Sequence, residues 1–187
     1  MTKFFGNLHL VLLVGLLASF ALMFGVDADG VTAQSITRWL HTFVGTIWIG
    51  LLYYFNFVQI PTMPKIPAEL KPGVSKHIAP AALFYFRWGA ALTVLFGIII
   101  SIQAGYGHQA FALQEGYRLI GIGMWLALIM AFNVWFIIWP NQKKALGMVE
   151  ADDATKAKAA TTAMMTSRLN TLLSIPMLYT MVTFNGG

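Results

Sequence analysis

Five stretches of this chain are apolar for the length that a helix needs to cross a bilayer: residues 8–25, 38–60, 81–103, 118–139 and 168–184. A hydrocarbon core about 30 Å thick is spanned by about 20 residues of helix. Inside it every backbone N–H and C=O must find a partner within the protein, and a helix supplies these partners by itself. The expected fold is therefore all-α. It is an integral membrane, antiparallel bundle of about five transmembrane helices, a single domain over residues 1–187.

Composition agrees. Hydrophobic residues make up 58% of the chain and charged residues 10%, against about 25% charged in a soluble domain. The net charge of +5 comes without a basic stripe interleaved with aromatics, so nucleic acid is set aside as a partner. The absence of cysteine excludes disulfides, thiolate-bound zinc, iron–sulfur clusters and a covalently attached c-type haem. Lys3 followed by the apolar run Leu8–Phe24 has the form of a signal peptide. With Met1 present, the run is read as a retained first transmembrane helix.

Polar and cyclic residues mark the expected ends. Ser35 caps the second helix and Pro61 closes it. Pro80 sits in the first turn of the third, and Pro140 stops the fourth. The fifth run is short and holds Pro176. It is read as the end of a longer helix that starts near Asp152 and Asp153, where two acids favour the helix dipole. The segments 60–67 and 105–108 read as extended loops. Lys3, Lys65, Lys71, Lys76, Lys143, Lys144, Lys156 and Lys158 fall on one side of such a bundle, against Arg38 and Arg118 on the other. The lysine side is then cytoplasmic. The expected location is the bacterial inner membrane, with the N-terminus cytoplasmic and the C-terminus periplasmic.

All seven acids fall in loops or at helix ends, which lowers the prospects of a proton pump or a cation-coupled transporter. His41, Asn56 and Asn133 lie within spans. Arg87, Arg168 and Asn170 lie near the cytoplasmic ends. Four helices thus offer Asn or Arg at similar depth: Asn56, Arg87, Asn133, and Arg168 with Asn170. These residues suit an anionic or amide-bearing group, and equally suit interhelical hydrogen bonding and snorkelling. His41, Gly45, Trp48, Leu52 and Asn56 fall along one helical stripe. A glycine one turn after the histidine leaves a flat slot, fit for haem b with His41 as iron ligand or for another planar ring. Arg38 and Arg118 stand on the same side. His108 shares that side in a loop, and His9 and His77 are remote. Gly123, Ala127 and Ala131 form a small-residue row suited to helix packing.

Four segments carry a family resemblance when taken in order. The first is Arg38-Trp39-Leu40-His41 with Gly45, Trp48, Ile49 and Gly50, and the second is Phe86-Arg87-Trp88. The third is Asn133-Val134-Trp135-Phe136 with Pro140-Asn141-Gln142-Lys143. The fourth is Ser167-Arg168-Leu169-Asn170 with Leu173, Pro176 and Tyr179. Over about residues 38–180 they resemble the membrane domain of the PuuD-type urate oxidase family, in a short form lacking the cytochrome c domain. A looser likeness of the His41 segment extends to copper-resistance and protoporphyrinogen-oxidase-like membrane proteins, some of which bind haem.

The resemblance implies a redox-linked membrane protein and, in place of a fused cytochrome, a separate electron-transfer protein. His41, Arg87, Asn133, Arg168 and Asn170 match family positions. Gly89 stands where the family tends to have an acid, and Leu169 where it tends to have a histidine. Three readings follow. One is a haem- or planar-ligand-binding, redox-associated protein, which if an enzyme is an oxidoreductase. Another is an accessory subunit packed with other membrane subunits or with copies of itself. The third is a small-anion carrier. All three sit in the lipid bilayer.

Overall fold

The computed structural model describes residues 2–184 and is all-helical, with no strand among the described residues. Its long helices are α1 (Leu8–Val26), α2 (Ala33–Lys65), α3 (Lys71–Gln103), α4 (Arg118–Ala145) and α5 (Asp153–Thr183). The first four are long and apolar enough to cross a membrane. The 31 residues of α5 carry a more polar sequence, yet it packs along α4. Short helices Thr2–Phe5 and Gly107–Phe111 precede α1 and follow α3.

Helices α2 to α5 form a closed ring in which each runs antiparallel to its neighbours. Between α2 and α3, His41 meets Gly97 while Phe55 meets Phe86. Between α3 and α4, Arg87 meets Trp139, and Val94 shares a groove with Leu128. Asn133 meets Asn170 and Gly123 faces Thr180 between α4 and α5. Tyr53 bonds Ser174 and Asn56 bonds Ser167 between α5 and α2. Trp48, Leu52, Phe86, Met130 and Val134 fill the middle of the ring. Large apolar side chains such as Phe57, Phe136, Leu172 and Ile175 cover its outside, where hydrocarbon is their natural solvent. Helix α1 touches the ring through Phe20, whose ring centroid lies 6.4 Å from that of Trp39, and none of its residues is buried.

Close approach of α2 to α3 rests on glycine. A Cβ at Gly89 would lie 3.3 Å from the Trp48 backbone nitrogen, and one at Gly97 would lie 3.0 Å from His41 Cε1. The slot expected beside His41 at Gly45 is taken by Thr93, whose Cγ2 lies 3.6 Å from where a Cβ would stand.

The expected helix ends need correction. Thr32, not Ser35, caps α2: Thr32 Oγ1 accepts from the Ser35 N–H at 3.0 Å. Ser35 Oγ accepts in return from the Thr32 N–H at 2.8 Å, completing a capping box. Asp152 does cap α5, accepting from the Thr155 N–H. Pro61 and Pro140 end nothing, since α2 and α4 run through them, and Pro80, expected in the first turn of α3, follows a wide turn that extends the helix back to Lys71. Each proline follows a wide, π-helical turn, at Tyr54–Gln59, Val74–Ile78 and Asn133–Ile138.

The residue before each proline donates its N–H five positions back: Ile60 to Phe55, Ala79 to Val74 and Trp139 to Val134. A proline ring clashes with the carbonyl four residues earlier. Widening the preceding turn makes room for the ring without breaking the helix. The expected loop at 60–67 is consequently helical through Lys65. The loop at 105–108 turns at Gly105 (φ +75°) into the short helix.

Candidate functional site

The wide turns of α2 and α4 coincide with the densest polar layer of the bundle. Asn133 Nδ2 donates to Asn170 Oδ1 at 2.8 Å, and Asn170 Nδ2 donates to the Met130 carbonyl at 2.9 Å. Asn56 Nδ2 donates to Ser167 Oγ at 2.8 Å and to the Leu52 carbonyl. Tyr53 OH pairs with Ser174 Oγ at 3.0 Å. One helical stripe of α5, Ser167–Asn170–Ser174, therefore joins α4 and α2 through side chains. Asn170 and Ser174 are fully buried.

Arg87 belongs to the same layer through its neighbour Phe86 but faces α4. Its guanidinium lies 3.4 Å over the Trp139 ring centroid, and its carbonyl accepts from Trp135 Nε1 at 3.1 Å. Arg87 Nε and Nη1, Asn56 Oδ1, Gln59 Oε1 and Trp48 Nε1 are buried with no hydrogen-bond partner among the described residues. Of the residues expected at this depth, Asn133 and Asn170 meet directly, Asn56 reaches Ser167 one turn before Asn170, and Arg87 packs on Trp139 instead. Arg168 lies on the exposed face of α5, on the opposite side from Asn170, with Leu169 beside it.

His41 sits toward the other end of the ring. Its Nδ1 donates to the Thr93 carbonyl at 2.8 Å, which leaves Nε2 as the nitrogen not engaged by that bond. A cavity of about 40 Å³ adjoins it, lined among others by Gly97, Met124, Ala127 and Met181. Gly45, Trp48, Arg38 and Arg118 do not line it. Trp48 is fully buried against Gly89. Arg38 and Arg118 are exposed, and Arg118 Nε reaches the Leu113 carbonyl at 3.5 Å.

Beside this end, Tyr106 stacks on Tyr117 at 5.8 Å and meets Phe184 edge-on at 5.2 Å. Burial pushes the Tyr106 phenol up, partly opposed by the charge of Arg38. His108 is exposed, and no group of three His, Asp or Glu suited to a metal ion occurs among the described residues.

Several partners in these contacts were not singled out as site residues in the sequence. Ser167 and Ser174 had a signal, since a polar stripe at helical spacing on an apolar helix marks a buried face. Thr93, Gly97 and Trp139 had none, because interhelical register decides what they touch.

No curated protein and no solved structure matches the chain. Residues 74–185 match the profile of the family described as urate oxidase N-terminal. This match takes in α3, α4 and α5, with Arg87, Asn133 and Asn170, and leaves out the His41 helix. It covers more than half of the sequence, and the chain belongs to the urate oxidase N-terminal family.

Proposed function

We propose that this chain is a membrane-embedded scaffold subunit of a redox-associated, urate-oxidase-type assembly, with the oxidising centre carried by a partner chain. The observation that carries the reading is α1. It is apolar on every face, yet it buries no residue against the rest of the chain. Lipid gives helices no hydrophobic reason to associate, so a helix in a bilayer is placed by specific contacts. Beyond Phe20 against Trp39, the contacts of α1 are taken to lie with another subunit or a second copy.

The state of the interior supports this. The amides that were candidates for substrate contact pair largely with one another: Asn133 with Asn170, and Asn56 with Ser167. The remaining room beside His41 is about 40 Å³. That room is many times smaller than a porphyrin, which supports placing haem b, expected there, outside this chain alone. The donor chemistry of His41 does suit a metal ligand, with Nδ1 held by a carbonyl and Nε2 free. A carrier of small anions finds less support, since the paired amides block the interior at the Arg87 level. On the lysine bias, the end of the ring holding Lys65, Lys71 and Lys143 faces the cytoplasm in this reading.

The test is purification of the tagged chain from its native membrane in mild detergent, followed by native mass spectrometry and oxidised-minus-reduced spectra. Partner chains retained by wild type and lost on deletion of residues 2–31 are expected, with any haem signal following the partner. A lone chain carrying a b-type haem band that His41→Ala abolishes would overturn the proposal in favour of a cofactor site at His41.

A further inference from the structure

The seam between α3 and α4 opens to the lipid as a groove of about 560 Å³. Ala91 and Val94 of α3 line it, with Leu128, Ala131, Phe132 and Trp135 of α4. Along α4 it runs from Trp125 to Phe136, about 16 Å, roughly half the hydrocarbon thickness and so about one leaflet deep.

Trp135 ties the groove to the lysine-rich end. It lines the wall, donates to the Arg87 carbonyl, and its ring centroid lies 5.9 Å from the Arg87 guanidinium. One turn on, Trp139 carries two cations: Arg87 at 3.4 Å and Lys143 Nζ at 5.6 Å from the ring centroid. The one ion pair among the described residues is Lys156 with Asp153, so neither cation has a carboxylate. Two guanidinium nitrogens of Arg87 are buried without any partner. A cation near hydrocarbon depth with no counter-charge is costly, and basic sites between helices are matched by anionic headgroups.

We propose that groove and cations together seat one anionic phospholipid, one of its two acyl chains lying between α3 and α4 and its phosphate against Arg87 and Lys143. Charge decides among the possible occupants. A quinone tail or a partner's apolar helix would fill the groove but leave both cations unmatched. A phosphate supplies a counter-charge and several acceptor oxygens at the level of Arg87 and Lys143, the two cations on Trp139. The leaflet-long groove fits a single acyl chain. The seat does not depend on the partner subunit proposed above, and its test has a separate readout.

Delipidated protein is titrated in detergent with phosphatidylglycerol or phosphatidylcholine of identical acyl chains, and adducts are counted by native mass spectrometry. Retention of one phosphatidylglycerol per chain is expected, about tenfold tighter than phosphatidylcholine. The double variant Arg87→Gln/Lys143→Gln should lose the preference. Ala131→Trp, which fills the groove, should weaken both lipids. Helicity by circular dichroism reports folding, and Lys143→Gln alone serves if the double variant does not fold. Equal retention of the two lipids would sink the proposal, as would a preference that survives the charge variants. Pairing of two chains through Phe132 and Phe136 in place of lipid would make the groove a copy-to-copy interface instead.

Discussion

At Gly89, Gly97 and Gly45 the same residue stands in three different amounts of room. A methyl at Gly45 would make ordinary contact with Thr93. At Gly97 it would press on the His41 ring, which the Thr93 carbonyl holds in place, and at Gly89 it would meet Trp48 backbone, which cannot turn aside. Gly45→Ala should therefore be neutral, or gain up to about 1 kcal/mol from helix propensity. Gly97→Ala and Gly89→Ala should each lose about 1–3 kcal/mol from overpacking. Thermal unfolding of the three variants in one detergent checks the order. Equal melting temperatures would mean that α2 and α3 are not in contact there. The sequence could not separate these glycines, because the distinction lies in what stands across the interface.

At the scale of the element, the π turns explain what was legible and what was not. The apolar runs of four helices announced themselves by length, and the start of α5 by its paired acids. Proline was misread, because an isolated proline is a reliable stop only when the turn before it stays α-helical. Here Tyr54–Gln59, Val74–Ile78 and Asn133–Ile138 widen, and the helices continue. One residue fewer in such a turn rotates everything beyond it by about 100°. Deletion of Ile137 should therefore swing Trp139 and Lys143 away from Arg87 and strain Pro140. A fall in melting temperature and greater quencher access to tryptophan fluorescence are the expected results. An unchanged melt would show that the wide turn carries no structural role.

At the scale of the whole molecule, the ring is joined in two ways. Glycine contacts hold α2 against α3, and amide and hydroxyl bonds hold α5 against α2 and α4. Leaving a buried amide unpaired is worse than removing both partners. Asn170→Leu should cost about 1–2 kcal/mol. Adding Asn133→Leu to it should recover part of that loss, although the Met130 carbonyl, which keeps its backbone donor Asn133 N–H, loses its side-chain donor in both. A double variant less stable than Asn170→Leu alone would contradict the pairing. From the sequence, the depth shared by Asn56, Asn133 and Asn170 was legible through helix counting, whereas their mutual satisfaction was not. Arg168 was misplaced for a related reason, because the face that α5 turns inward follows from the partners of Ser167 and Asn170.

The bonds that close the ring join residues 111 and 121 positions apart. At ribosomal speeds of about 5–20 residues per second, about ten seconds separate the synthesis of their two ends. Throughout that interval Asn56 lies in hydrocarbon without Ser167, and Asn133 waits 37 residues of synthesis for Asn170. The nascent protein is then most exposed to membrane quality control, and a chain stalled before α5 would carry its own mark for degradation. Since α5 is the least apolar of the long helices and is not among those apolar enough to cross a membrane, its docking on the ring and the concealment of that mark would be a single event.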